Sequence, residues 1–148
     1  RMSLQEIINR IEQAAAAQPA VKRIVRGDVY KLNAEPAAEY GAFAWTQRQH
    51  TEDIDGFQRW SFVLFYVDRL SDDKSNAVQA QSVGCAVLSN IVRTLVASGE
   101  LDAGEWAIDT FTERFADECA GAYTTITFET EASEICETEF EPITIKII

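Results

Sequence analysis

Phe57-Gln58-Arg59-Trp60-Ser61-Phe62-Val63-Leu64-Phe65-Tyr66-Val67-Asp68-Arg69 is the stretch on which the fold turns. In an extended chain Trp60, Phe62, Leu64 and Tyr66 point one way, and Arg59, Ser61, Val63, Phe65 and Val67 the other. From Phe62 onward both faces are apolar, the pattern of a central strand covered on two sides. A neighbouring subunit is one candidate for the second cover. Just before it, Ile54-Asp55-Gly56-Phe57 holds an Asp-Gly pair, the strongest short signal for a tight type I′ hairpin. The partner strand starts near Ala42, with Phe43, Trp45 and Gln47 alternating against Ala44, Thr46 and Arg48.

Downstream, Leu70-Ser71-Asp72-Asp73-Lys74 opens the main helix, expected at about 72–98, with Ser71 or an Asp as cap beside the positive dipole end. Ala77, Ala80, Gly84, Leu88, Ile91 and Leu95 recur at helical spacing, and Gly99 stops the run. Gly84, unfavourable inside a helix, points to close approach of the helix to the sheet. Upstream, Ser3-Leu4-Gln5-Glu6 fits a capping box before a short amphipathic helix, about 4–17, which ends at Gln18-Pro19. Residues 21–32 read as one or two short strands broken at Gly27-Asp28. The last third reads as strands at Trp106–Phe111, Tyr123–Thr130 and Ile143–Ile148. In the second of these, Thr124, Ile126 and Phe128 should face the core. The order implies one α+β domain over residues 1–148, its mostly antiparallel sheet packed by the long helix.

A chain of 148 residues and 16.5 kDa, 47% hydrophobic and 25% charged, is ordinary globular material. The longest unbroken apolar run is Phe62–Val67, too short to span a bilayer. Met2-Ser3-Leu4-Gln5-Glu6 lacks a basic-then-apolar leader, so synthesis in the cytoplasm is expected. Net charge is −11, and all of it lies in residues 100–148, where 13 acids face only Arg114 and Lys146. That surface repels phosphate backbones and argues against sequence-specific nucleic-acid binding. The more ordinary use of such charge is a solvated face.

Catalytic chemistry is sparse. His50 is the only histidine, and Cys85, Cys119 and Cys136 form no C-x-x-C, so zinc sites and histidine triads are disfavoured. Arg26-Gly27-Asp28 is better explained as a turn than as an adhesion motif. Asp53, Asp55 and Gly56 begin like a calcium loop, but Phe62 stands where the bidentate acid belongs. Asp72 and Asp73 read as caps, and Asp68-Arg69 as a strand-end ion pair. Ser82, Ser89 and Ser98 lack a nucleophile elbow. Glu129, Glu131, Glu134, Glu137, Glu139 and Glu141 form an acidic ladder, more ordinary as a charged edge against unwanted pairing than as a metal cluster. No phosphate cradle, cofactor site or metal site is assigned.

Three stretches carry a resemblance: Phe65-Tyr66-Val67-Asp68-Arg69-Leu70, then Gln81-Ser82-Val83-Gly84, then Arg114-Phe115-Ala116-Asp117 with Cys119-Ala120-Gly121. Together they resemble small structural proteins of bacteriophages and prophages. The element order is similar to the tail-terminator and tail-completion family, whose members form rings at the end of a tail tube. The motif similarity covers residues 60–130, about half of the chain. It implies a non-enzymatic head-tail joining component of the virion tail or neck, made in the host cytoplasm. Its partners would be copies of itself in a homo-oligomeric ring, a hexamer by resemblance, and tail-tube or neck proteins. The family offers no catalytic motif and no residue transferable as a known contact. The interface candidates, Val63, Phe65, Val67, Glu129, Glu131 and Glu134, come from the strand pattern and the acidic ladder instead. The competing expectation is a small-molecule-binding module with Trp45, Trp60 and Tyr66 as an aromatic pocket wall. A carboxylate-bound metal enzyme is a third.

Overall fold

The structure, a computed structural model, describes residues 3–26, 41–71, 73–112 and 119–131. Helix α1, Leu4–Ala16, begins where the Ser3 hydroxyl accepts the Glu6 amide at 3.2 Å, half of the expected capping box. Its buried residues, Ile7, Ile11, Ala14 and Ala15, recur at three- and four-residue spacing and form one stripe. Among the described residues there are five strands: β1 (Arg23–Val25), β2 (Ala42–Glu52), β3 (Phe57–Arg69), β4 (Ile108–Thr112) and β5 (Cys119–Glu131). Helix α2, Ala77–Ala97, stands between β3 and β4 in the chain.

The sheet runs β1-β2-β3-β5-β4, so the Phe57–Arg69 stretch is its central strand. All neighbours pair antiparallel except β1 with β2, which is parallel. The molecule is thus α+β with a mostly antiparallel mixed sheet, as the hydropathy pattern predicts. Both helices lie on one face, where Ile7, Ile11, Leu88, Ile91 and Leu95 pack with Phe43, Phe62, Leu64, Tyr66, Ile126 and Phe128. Each such buried side chain contributes about 1.5–3 kcal/mol of apolar transfer free energy. Gly84 does what its position implies. A Cβ there would lie 3.1 Å from the Ala122 Cβ, so glycine lets α2 settle onto β5. By length and composition α2 could also cross a membrane, but its stripe from Ala80 to Leu95 is packed against the sheet.

Several local expectations change. Helix α2 starts at Ala77, not near Asp72. The Asn76 side chain accepts from the Ser71 amide at 2.8 Å and donates to the Arg69 carbonyl at 2.9 Å, which ties the end of β3 to the residue before the helix. Lys74 takes the left-handed conformation there, φ 59°, and a helix cannot run through it. The β2–β3 turn is not type I′, which needs two residues of positive φ; only Gly56, at 90°, has one. Instead the Gly56 amide donates to the Asp53 carbonyl at 3.1 Å, and the Asp53 carboxylate accepts the Asp55 and Phe57 amides. Strand β4 begins two residues later than Trp106, and β5 extends past Tyr123–Thr130 at both ends. Gly27-Asp28, Asp72, Arg114–Asp117, Cys136 and the strand expected at Ile143–Ile148 lie outside the described residues.

Pairing is uneven along the sheet. Strand β1 meets only Ala42–Ala44 of β2, and β4 meets only Ala120–Thr124 of β5. Among the described residues the ladder is therefore five strands wide at the end holding Val67 and Gly121. It is three wide at the end holding Trp60 and Phe128.

Candidate functional site

Val63, Phe65 and Val67 lie on the face opposite the helices, as alternation requires. Phe65 and Val67 are closed over within a single chain, at 6% and 0% exposure. They cluster with Ala42, Ala44, Phe111 and Cys119, and the Tyr123 ring lies 6.0 Å from Phe65 and 6.4 Å from Phe111. Val63 is half-buried at the margin of this cluster. Beyond it the face turns polar and exposed. Thr125 stands opposite Val63, the Ser61 and Thr127 hydroxyls are bonded at 3.0 Å, and Glu129 pairs with Arg59 at 3.1 Å. Arg59 also reaches Asp53 at 3.5 Å. Glu131 ends β5 opposite Phe57; its side chain and Glu134 lie outside the described residues. Strand geometry thus brings Val63, Phe65, Val67 and Glu129 to one face, the apolar members at the wide end and the acid at the narrow end.

The aromatic residues of the competing reading divide between core and narrow end. Trp45 meets the Phe62 ring edge-on at 6.0 Å, and its indole N–H donates to Glu12 at 3.0 Å. Glu12 also accepts from Arg26 Nε at 2.8 Å, which ties α1 to the β1 side of the sheet and raises the Arg26 pKa through that bond. Tyr66 is 3% exposed, and its hydroxyl donates to the Ala20 carbonyl at 3.4 Å. Burial first, and the nearby Asp68 charge second, push its pKa up to about 12.

Trp60 belongs with a group that motif reasoning passed over, because His50 entered it only as evidence against metal sites and triads. The imidazole of His50 lies 3.7 Å from the Trp60 ring, and its Nε2 is 3.0 Å from Glu52. Glu52 also accepts from Gln58 at 2.9 Å. A carboxylate only accepts, so His50 Nε2 carries a proton and donates it to Glu52. His50, Trp60 and Phe128 stand on one rung of the ladder; Glu52, Gln58 and Thr130 stand on the next. One signal in the sequence did point here: His50 and Glu52 two apart on a strand share a face.

The Asp73 carboxylate accepts the Ser75 amide at 3.0 Å and the Ser71 hydroxyl at 2.8 Å. These bonds, that from the Ser75 amide first, pull its pKa down to about 2. It organises the loop before α2 and does not cap the helix. Cys85 is a free thiol, half-buried on α2. Among the described residues no three His, Cys, Asp or Glu side chains are placed to hold a metal ion. No known protein family matches the chain, and no curated protein matches it.

Proposed function

We propose that this protein is a non-enzymatic bacteriophage or prophage structural component. In this reading it is a tail-terminator-like subunit that forms a homo-oligomeric ring against tail-tube or neck proteins in the virion tail. The observation that carries the reading is the one-sided placement of the helices. Both α1 and α2 cover the same face of the sheet, and on the opposite face an apolar cluster buried in the single chain leaves Val63 half-buried at its edge, opposite the exposed Thr125. A second copy laid along that edge would bury Val63 and continue the cluster. The resemblance over residues 60–130 supports the same reading, and so does the sequence's want of a catalytic motif.

Electron microscopy and native mass spectrometry of the purified protein, alone and with tail-tube protein, test it. The expected result is an annular homo-oligomer, six subunits by resemblance. Thr125 is exposed, so Thr125→Arg should disperse the ring while changing monomer stability by no more than about 0.5 kcal/mol. A protein that stays monomeric under both conditions overturns the reading.

A further inference from the structure

The narrow end of the sheet contains three polar side-chain atoms that are shut off from solvent and bonded to nothing: His50 Nδ1, Trp60 Nε1 and Thr130 Oγ1. They occupy two adjacent rungs of the helix-side face, with His50 opposite Trp60 and Thr130 opposite Gln58. A buried polar group without a partner bears the full cost of leaving water, and local opening returns it to water.

Opening here withdraws Phe128 and Trp60 from the edge of the core but leaves Phe43, Leu64, Tyr66 and both helices in place. Among the described residues the ladder is three strands wide, the turn residues Asp53, Ile54 and Asp55 are exposed, and a bulge between Gln47 and Gln49 interrupts β2 on its way in. Of the bonds at this end, Ser61 with Thr127 and Arg59 with Glu129 lie on the outer face and are wet, and those of Gln58 and His50 end on the exposed carboxylate of Glu52 on the inner face. Their loss on opening is replaced by water at little cost.

We propose that the end of the sheet built from residues 49–61 and 127–131 is a conformational device that opens as a local unit while the five-stranded end stays folded. Hydration of His50, Trp60 and Thr130 is the driving term. Opening bares the Trp60 indole and the His50 imidazole. The device does not depend on ring assembly, because every residue in it belongs to one chain.

Hydrogen exchange followed by mass spectrometry on the full chain tests it. Backbone amides of 49–61 and 127–131 should exchange at least about 100-fold faster than those of 85–95 in α2, since sub-global opening has its own, smaller free energy. Thr130→Val keeps the side-chain shape and deletes the unbonded hydroxyl. It should slow exchange at the narrow end about tenfold and leave α2 unchanged. Trp60→Phe should act in the same direction and serves where the first variant fails to fold. Thr127→Val, which deletes a bonded and exposed hydroxyl, should slow nothing. The device is overturned if the narrow end is protected as well as α2. Fast exchange that neither Thr130→Val nor Trp60→Phe slows overturns it too, as does equal slowing by Thr127→Val.

Discussion

At the end of the sheet that holds Ala42, Tyr66 and Ala122, β1 and β4 flank the central strands, and the core on one face is matched by a buried cluster on the other. At the end that holds His50, Trp60 and Thr130, the same three long strands continue without those flanks, among the described residues. There the outer face is polar, and the inner face contains unbonded polar atoms. One continuous set of strands therefore contains two regimes. Where both faces are apolar, packing and pairing reinforce each other; where only one is, buried polar groups lack neighbours to bond. Stability should be concentrated at the wide end, and responsiveness at the narrow one.

The largest test of this contrast removes the close fit of the wide end. A Cβ on Gly121 would drive into the Tyr66 main-chain carbonyl oxygen, and backbone cannot yield as a flexible side chain can. Gly121→Ala should therefore cost more than about 4 kcal/mol and leave little folded protein by circular dichroism. Next comes Leu88→Ala, in the fully buried stripe of α2, with an expected loss of about 2–5 kcal/mol in a urea titration.

Tyr66 sharpens the comparison through pH. Its hydroxyl stays protonated in the folded chain up to about 12, against an ordinary value of 10.0. Below pH 10 the group is protonated in both states and contributes fully. Between about pH 10 and 12 the unfolded chain ionises first, so stability should fall as pH rises through that window. Urea midpoints for the parent and for Tyr66→Phe, measured at successive pH values, check this; the variant should lack the tyrosine-specific part of the fall. The smallest effect belongs to the narrow end. Glu129→Ala removes an exposed ion pair with Arg59 and should cost no more than about 1 kcal/mol, shrinking with added salt. A larger loss there than at Leu88 would reverse the assignment of the two regimes.

Much of the architecture was legible in the chain. Two-residue alternation placed Trp60, Phe62, Leu64 and Tyr66 on one side of β3, and three- and four-residue spacing placed Leu88, Ile91 and Leu95 on the buried side of α2. Both follow from local geometry that neighbours cannot change. Local chemistry misled where several nearby groups compete. Ser71 and Asp73 offer caps, but Asn76 bonds back to Ser71 and Arg69 and delays α2 to Ala77. Of the candidate contact residues, the strand pattern assigned Val63, Phe65 and Val67 to a common face. It did not show that Phe65 and Val67 are buried in a single chain, because burial depends on Ala42, Phe111 and Cys119, brought alongside from other elements. The grouping of His50, Trp60 and Thr130 lay beyond sequence reading for the same reason: it joins positions as far apart as 50 and 130. The sequence by itself determined the elements and the faces they present, since those depend on backbone period and side-chain polarity. Tertiary structure alone decided which faces are closed, how wide the sheet is at each end, and which polar atoms find no partner, because those properties arise only when distant strands fix their register.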